Sequence, residues 1–392
     1  MQQEKVTSET YHFVGLGGIG MSALARVLLQ RGFAVQGSDI RQSPLLDDLQ
    51  KEGASVQIGH ARESLASATQ VVYSSDIKQE NVEMIRAKEL SLPILHRSDL
   101  LHLLLQGKHS LLVTGTHGKT TVSSLLTSTL TEAGLDPSFV IGGIHRKWRT
   151  NGHSGAGPYF IAEADESDGS FLKTAAFGAI VTNLENEHLD YWKNPALLDA
   201  AFKQFFEQVT HEQHLFWCKD DPRLRSLSPK GISYGFSEGC DLQITAWEPV
   251  ETGVLFDCTW EGKRYEGIEL RLFGRHNVLN GAAVFGLALS LGIAESSIRK
   301  TFLEFAGTVR RLELKGISHC VEVYDDYGHH PTEIAVTLQA LRGKIREKRL
   351  IAVFQPHRYS RVRDLLDSFL TCFDEADLVV MTDIYSAGEP LI

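Results

Sequence analysis

Leu111-Leu-Val-Thr-Gly115-Thr-His-Gly-Lys119-Thr-Thr-Val-Ser-Ser-Leu-Leu126 is the stretch that decides the fold. Leu111–Val113 is an apolar run of strand type. Val122, Leu125, Leu126 and Leu130 then recur at helical spacing. A glycine turn between a strand and a helix start makes a phosphate cradle, because backbone N–H groups can approach an anion where the helix dipole is positive. Gly115, Thr116, His117, Gly118, Lys119, Thr120 and Thr121 form the turn. Lys119 is placed to reach terminal phosphates, and the Thr120 hydroxyl to meet magnesium. The turn is shorter than the common G-x-x-x-x-G-K-[ST] loop, since position 113 is Val.

Toward the N-terminus a second glycine turn has the same context. Tyr11–Val14 reads as a strand, Gly15-Leu-Gly17-Gly18-Ile-Gly20 as the turn, and Met21–Gln30 as the helix. Phe33–Gln36 is the next strand, and Asp39 follows it. This is the G-x-G-x-x-G pattern of a doubly wound, Rossmann-like sheet, with an acid roughly 20 residues on to meet sugar hydroxyls. The pattern fits any pyrophosphate joined to a hydroxyl-bearing sugar, so a uridine diphosphate sugar satisfies it as well as NAD does. Further strand and helix runs up to Leu105 extend a parallel sheet.

Past the cradle, Phe139–Ile141 resumes a strand. The basic, glycine-rich run 145–158 reads as a surface loop, or as an arm over an anionic ligand. Tyr159–Ala162 leads into Glu163-Ala-Asp165-Glu166-Ser-Asp168, a carboxylate cluster suited to a hard cation. Gly178–Thr182 leads into Asn183-Leu-Glu185-Asn-Glu187-His188, where a histidine stands among acids just past a strand end. From Gly231 to Phe273 the period becomes two, so a small antiparallel sheet is expected on the α/β core. His276, Asn277 and Asn280 open a long apolar helix, as caps or as readers of a base edge.

Arg310-Arg311 lies in a hinge-like run, 307–314. Beyond it three apolar strands, 320–324, 350–354 and 378–381, are expected to lie parallel and to end in polar residues. Those ends carry Asp326, Tyr327, His329, His330, Arg358 and Arg361.

Bulk properties narrow the classes of function. A chain of 392 residues exceeds what one core usually holds. Its net charge of -10 argues against a general nucleic-acid or membrane-surface binder. Five scattered cysteines suggest reduced thiols, and the opening residues MQQEKVTSET show no leader pattern, so a cytoplasmic protein is expected.

HFVGLGGIGMSALA, VTGTHGKTTVSSLL, EADESDGSF, VTNLENEHLD, GRHNVLN, DDYGHHPTE, FQPHRYSR and DIYSAGE occur in this order over nearly the whole chain. Together they resemble the Mur ligases, and within them the alanine-adding branch. The short cradle is that family's own form. The resemblance implies three α/β domains. Residues 1–105 form a Rossmann-like domain for the uridine diphosphate sugar, held by Gly15, Gly17, Gly18, Gly20 and Asp39. Residues 106–312 form a P-loop-type ATP and magnesium domain with the small antiparallel sheet. Residues 313–392 form an incomplete Rossmann-like domain, in a fragment or a shortened chain, because the family's third domain normally continues past DIYSAGE; exposed apolar surface is expected there.

The implied reaction joins L-alanine to the lactyl carboxylate of UDP-N-acetylmuramate through an acyl phosphate, at the expense of ATP, in peptidoglycan precursor synthesis. By motif match, Lys119 meets the phosphates. Thr120, Glu163 and His188 hold Mg2+ (or Mn2+). His276, Asn277 and Asn280 lie by the adenine, Asp326 by its ribose. Arg310 or Arg311 meets phosphate, and Tyr327, His329, Arg358 and Arg361 flank the amino acid. The carbamylated lysine of several relatives has no clear counterpart. The implied partners are these small molecules, without nucleic acid or membrane, in a monomer or homodimer. The competing readings are a murein-tripeptide ligase of cell-wall recycling, an NAD-dependent dehydrogenase and a non-catalytic UDP-sugar sensor.

Overall fold

Apolar strands buried on both faces need cover on both sides, and the described residues form four sheets, two large ones and two of two strands each. The computed structural model describes residues 9–345 and 348–391, apart from the side chains of Leu189 and Asp190. The opening residues 1–8, read above for a leader, lie outside the described residues, as does Ile392. The first sheet holds β1 (Thr10–Val14), β2 (Ala34–Asp39), β3 (Ser55–Ile58), β4 (Gln70–Tyr73) and β5 (Ile94–His96). They are parallel in the order β3-β2-β1-β4-β5. The order reverses between β1 and β4, and the Gly15 turn leaves β1 at that crevice, where open α/β sheets bind ligands.

The second sheet is mixed and has ten strands. They are β6 (His109–Thr114), β7 (Ser138–His145), β8 (Thr150–His153), β9 (Tyr159–Glu163), β10 (Gly178–Val181), β11 (Leu215–Cys218), β12 (Ile232–Gly235), β13 (Leu242–Val250), β14 (Gly253–Trp260) and β15 (Lys263–Leu270). β6 lies between β10 and β9, so the turns after these three strands share one edge. Leu111, Leu112 and Val113 of β6 are buried; each such side chain contributes roughly 1.5–3 kcal/mol by leaving water. The helix Lys119–Glu132 packs on β7 and β9, and Arg275–Ser290 and Glu295–Glu304 pack on it in turn.

Two expectations need correction. The 145–158 run is not wholly a loop, because Thr150–His153 within it is a strand. β7 and β8 form an antiparallel hairpin that packs on the first domain's helix Ile19–Gln30. A Cβ on Gly152 would lie 2.4 Å from the Ala23 carbonyl oxygen, so this close approach depends on glycine. The antiparallel strands β13–β15 are attached to the α/β core as expected, because β13 pairs parallel with β12 and continues the central sheet. Their last strand is Lys263–Leu270, earlier than the apolar run 268–273, because Glu261 and Gly262 (φ 50° and 74°) make a two-residue hairpin turn.

The third domain is also different from expectation. β17 (Val321–Asp325) pairs antiparallel with β16 (Glu313–Ser318), through a turn in which His319 and Cys320 have φ 47° and 64°. Only β18 (Ile351–Phe354) and β19 (Leu378–Met381) form a parallel pair. The helix Pro331–Ile345 covers a separate small core of Ile334, Leu338, Leu341, Leu350 and Phe354. Val353 and Met381 are 72% and 57% exposed. No helix of the described residues is long and apolar enough to cross a membrane.

Candidate active site

The cradle turn carries backbone conformations that its glycines supply. Gly115 has φ 125° and Gly118 φ 86°. A Cβ on Gly115 would sit 2.3 Å from Thr182 Oγ1, so the turn is pressed against the end of β10. There Asn183 Oδ1 accepts from the His117 N–H (2.8 Å), and Thr182 Oγ1 donates to the His117 carbonyl (2.6 Å). Lys119 folds back over its own loop and donates to the Gly115 carbonyl (2.6 Å) and to Glu166 (2.8 and 3.0 Å). Burial opposes its charge, but the carboxylates of Glu166 and Asp165 outweigh it and raise its pKa above the ordinary lysine value.

The carboxylate cluster after β9 divides into separate tasks. Glu163 Oε2 accepts from Thr120 Oγ1 (3.2 Å), and Glu163 Oε1 from Ser123 Oγ (3.1 Å) and the Gly142 N–H (2.6 Å). Glu166 is buried and holds Lys119. Asp165 and Asp168 turn to the first domain, where Arg97 donates to both (2.8 and 3.3 Å) and Ser75 donates to Asp168 (3.0 Å). Burial raises the Asp165 carboxyl, yet Lys119 and Arg97 hold it well below the usual carboxylate range. Sequence reasoning read Glu166 only as one of a cluster of cation-binding acids, not as the partner of Lys119, and missed Arg97; the only available signal was the acid cluster itself.

Thr120 and Glu163 present oxygen donors side by side, the set a hard divalent cation takes. His188 is half-buried, with φ 56°, and its Nε2 faces Glu187 at 3.6 Å. The structure does not bring it into hydrogen-bonding contact with Thr120 or Glu163.

A cleft of about 720 Å³ runs from the cradle to the third domain. Gly118, Thr121, His276, Asn277, Asn280 and Asp326 all line it. Asn280 packs on Gly118, whose Cβ position is 3.1 Å from Asn280 Oδ1. Asn280 Nδ2 donates to Asn277 Oδ1 (3.0 Å), and Asn277 Nδ2 to the Phe273 carbonyl (2.8 Å). Burial pushes the His276 imidazole down to about 4, so it is neutral. Asp326 accepts from the Leu312 and Gly328 N–H groups, both 2.7 Å. Of the two hinge arginines, Arg311 lines the cleft and sits 3.8 Å from Glu333. Arg310 is exposed, lies over the Tyr327 ring and faces Asp325.

The amino-acid candidates form a second group, reached from both domains. The His329 ring lies against Tyr327 and His357. Arg361 donates to His357 Nδ1 (3.2 Å) and lies 3.6 Å from Glu187 of the central domain, the neighbour of His188. Arg358, at φ 69°, starts the helix Tyr359–Asp364, and its N–H is held by the Tyr385 carbonyl (2.9 Å). The third domain also touches the cradle, because Glu333 Oε1 faces His117 Nδ1 at 3.3 Å. Burial works against charge on His117, but Glu185 and Glu333 outweigh it and hold its pKa at about 9.

In the first domain Gly15 has φ 82°. Asp39 does not stand free. Its carboxylate accepts from the Gly17 N–H (2.8 Å) and the Arg41 N–H (3.3 Å), and so braces the turn. Gly18 precedes the helix Ile19–Gln30 and Gly20 is its second residue.

A parallel first sheet, a lysine cradle on a central mixed sheet and a third domain closing on that cradle define a three-domain nucleotide-dependent ligase. Family profiles match all three parts: "Mur ligase family, catalytic domain" at residues 10–109, "Mur ligase middle domain" at 113–288 and "Mur ligase, glutamate ligase domain" at 310–390. The chain belongs to the Mur ligase family. It is 51% identical over 380 residues to UDP-N-acetylmuramate–L-alanine ligase of Protochlamydia amoebophila, covering 97% of this chain and 84% of that protein. Against the bifunctional enzyme MurC/Ddl of Chlamydia trachomatis it is 44% identical, covering 97% of this chain and 47% of that one. Among solved structures it is similar to UDP-N-acetylmuramate-alanine ligase MurC of Thermotoga maritima, with TM-score 0.87, 28% identity and coverage of 97% and 86%.

Proposed function

We propose that this chain joins L-alanine to UDP-N-acetylmuramate in an ATP-dependent, amide-forming reaction of peptidoglycan precursor synthesis. The observation that carries the reading is the loop 164–169. At one end Glu166 holds Lys119 of the cradle; at the other Asp165 and Asp168 hold Arg97 and Ser75, which follow β5 and β4. Those strand ends belong to the ligand-binding edge that also carries the Gly15 turn. A nucleotide sugar on that edge therefore has its acid directed along the loop toward the cradle. We assign the sugar nucleotide to residues 1–105, ATP to 106–312, and amino-acid binding and closure to 313–392.

In this reading Gly15, Gly17, Gly18 and Gly20 receive the pyrophosphate, and Asp39 holds the turn in shape. The cradle amides and Lys119 receive the β- and γ-phosphates. Thr120 and Glu163, together with His188 by its motif, are the residues that would hold Mg2+, and the ion would neutralise charge on the transferring phosphoryl group. The lactyl carboxylate attacks the γ-phosphorus and ADP leaves, giving an acyl phosphate. The alanine amine, placed by Tyr327, His329, Arg358 and Arg361, attacks the acyl carbon; phosphate departs and the nitrogen loses its proton. Arg311 faces the cleft and is our choice over Arg310 for the phosphate contact. Lys119 leaves Glu166 for the phosphates when ATP arrives, an exchange of one anion for another. ATP and a nucleotide sugar as substrates place the reaction in the cytoplasm.

Phosphate release with UDP-N-acetylmuramate and magnesium-ATP tests this, with L-alanine, with the murein tripeptide or with neither. Turnover is expected with L-alanine and is expected to fall by about 10³-fold or more in Lys119→Ala. Turnover with the tripeptide alone would move the protein to the recycling reaction, and nucleotide-sugar binding without any turnover would make it a sensor.

A further inference from the structure

We propose that His117, Glu185 and His330 form a binding site for a zinc-type divalent transition metal, separate from the magnesium position at Thr120 and Glu163. His117 belongs to the cradle, Glu185 to the turn after β10, and His330 to the start of the third domain's helix. One donor atom from each lies within 4.8 Å of the other two. His117 Nε2 is 3.6 Å from Glu185 Oε2, and His330 Nδ1 is 3.8 Å from the same oxygen. Zinc bonds of about 2.0–2.2 Å in tetrahedral geometry put ligand atoms roughly 3.3–3.6 Å apart, so the two pairs that share Glu185 need only a small contraction, and the two histidine nitrogens close to that spacing from within 4.8 Å.

An independent observation concerns the cradle histidine. His117 Nε2 is buried and makes no hydrogen bond, although buried ring nitrogens are normally satisfied. Its other nitrogen, Nδ1, faces Glu333. A carboxylate on one nitrogen orients a metal-binding histidine, and the charged His117 ring releases its Nε2 proton to solvent as the metal takes that position. His330 is buried too, and its ring lies 4.8 Å from that of His117. The Thr332 N–H now shares His330 Nδ1 at 3.3 Å and would yield that lone pair on binding. Thr332 Oγ1 supports Glu185 Oε2 at 3.1 Å.

The donor chemistry separates the two cations. Two imidazoles and one carboxylate favour zinc, whereas magnesium prefers oxygen ligands and retains its waters. The fourth position opens on the cleft, which His117 and Glu185 both line, and suits water. Because the ligands come from two domains, bound zinc pins the third domain against the cradle.

The test is calorimetric titration of the full chain with zinc chloride in excess magnesium, repeated with cobalt(II) for its visible spectrum. One zinc per chain is expected, with tetrahedral-type cobalt absorption. His330→Ala and Glu185→Gln should each weaken zinc at least tenfold and abolish that absorption, while their unfolding midpoints without zinc show that they are folded. Cys320→Ser, at the exposed thiol, should bind zinc as the parent does. Equal zinc affinity in the parent and both site variants, loss of binding in Cys320→Ser alone, or full displacement by magnesium would overturn the assignment.

Discussion

The two glycine turns start alike and end differently. Each follows a parallel strand and opens a helix, and each uses a positive-φ glycine as its first residue, Gly15 or Gly115. The first turn is braced from its own domain by Asp39 on the Gly17 N–H, and from outside by Asn151 Nδ2 on the Ile19 carbonyl (2.6 Å). The second is crowded by other elements: Thr182 and Asn183 against its backbone, Glu166 on Lys119, Glu163 on Thr120 and Glu333 on His117. A turn that only holds a ligand needs fixed amides. A turn that moves a phosphoryl group needs mobile or exchangeable charge around it, and charge of that kind has to come from several parts of the chain.

The sharpest way to break this comparison is Lys119→Ala. Phosphate release is expected to fall by about 10³-fold or more, in the range of lost transition-state donors, with binding of the nucleotide sugar unchanged in a direct titration. If both fall together, the turns are not separable in function.

Glycine substitutions test the same contrast through stability. Gly115→Ala should destabilise the fold by roughly 2–4 kcal/mol, since its φ is 125° and its Cβ would meet Thr182 and Asn183. Gly20→Ala has nothing within 4 Å of its Cβ and lies in a helix, so unfolding should shift by about 0.5–1 kcal/mol in the stabilising direction. Urea denaturation reads both, and equal losses would remove the distinction.

Acid should loosen the second turn's support. His145 Nε2 meets Ser128 Oγ (2.7 Å) on the cradle helix, its ring stacks on Trp148, and burial pushes its pKa down to about 4. The unfolded chain takes up this proton below the ordinary value of about 6.5, and the folded chain does not until about 4. Stability is therefore complete above the higher value and lost as pH falls through that window, by up to about 3 kcal/mol. In His145→Gln this part of the pH dependence should disappear from urea midpoints measured across the window.

The smallest effect concerns the connection between the turns. Arg97→Ala leaves each turn intact but unties Asp165 from the first domain and leaves Asp168 held there by Ser75. KM for the nucleotide sugar should rise about tenfold, equivalent to roughly 1.4 kcal/mol, with KM for ATP little changed. An unchanged sugar KM would mean that the loop does not align the two substrates.

Much of this was legible along the chain because it is local. Strand-turn-helix patterns, the glycines at Gly15 and Gly115 and the change to period two near residue 243 are set by φ preferences and side-chain alternation within a few residues. The 145–158 run misled because its strand character comes from β7 and from packing on the first domain's helix, not from its own polar composition. The third domain's first strand misled for a related reason: the left-handed pair His319 and Cys320 gives no glycine signal, so the hairpin was hidden.

By itself the sequence determined which residue types stand at each strand end, and so the chemistry available there: glycine amides, one cradle lysine, oxygen ligands and histidines. Only the tertiary structure decided how they combine. It gave Glu166 to Lys119 and Asp165 and Asp168 to Arg97, and it brought His330 from the third domain to His117 and Glu185. Side chains of one acidic run can point to different domains because a turn after a strand has no fixed period. Which partner each meets is set by how whole sheets dock, a long-range outcome of core packing that no local pattern encodes.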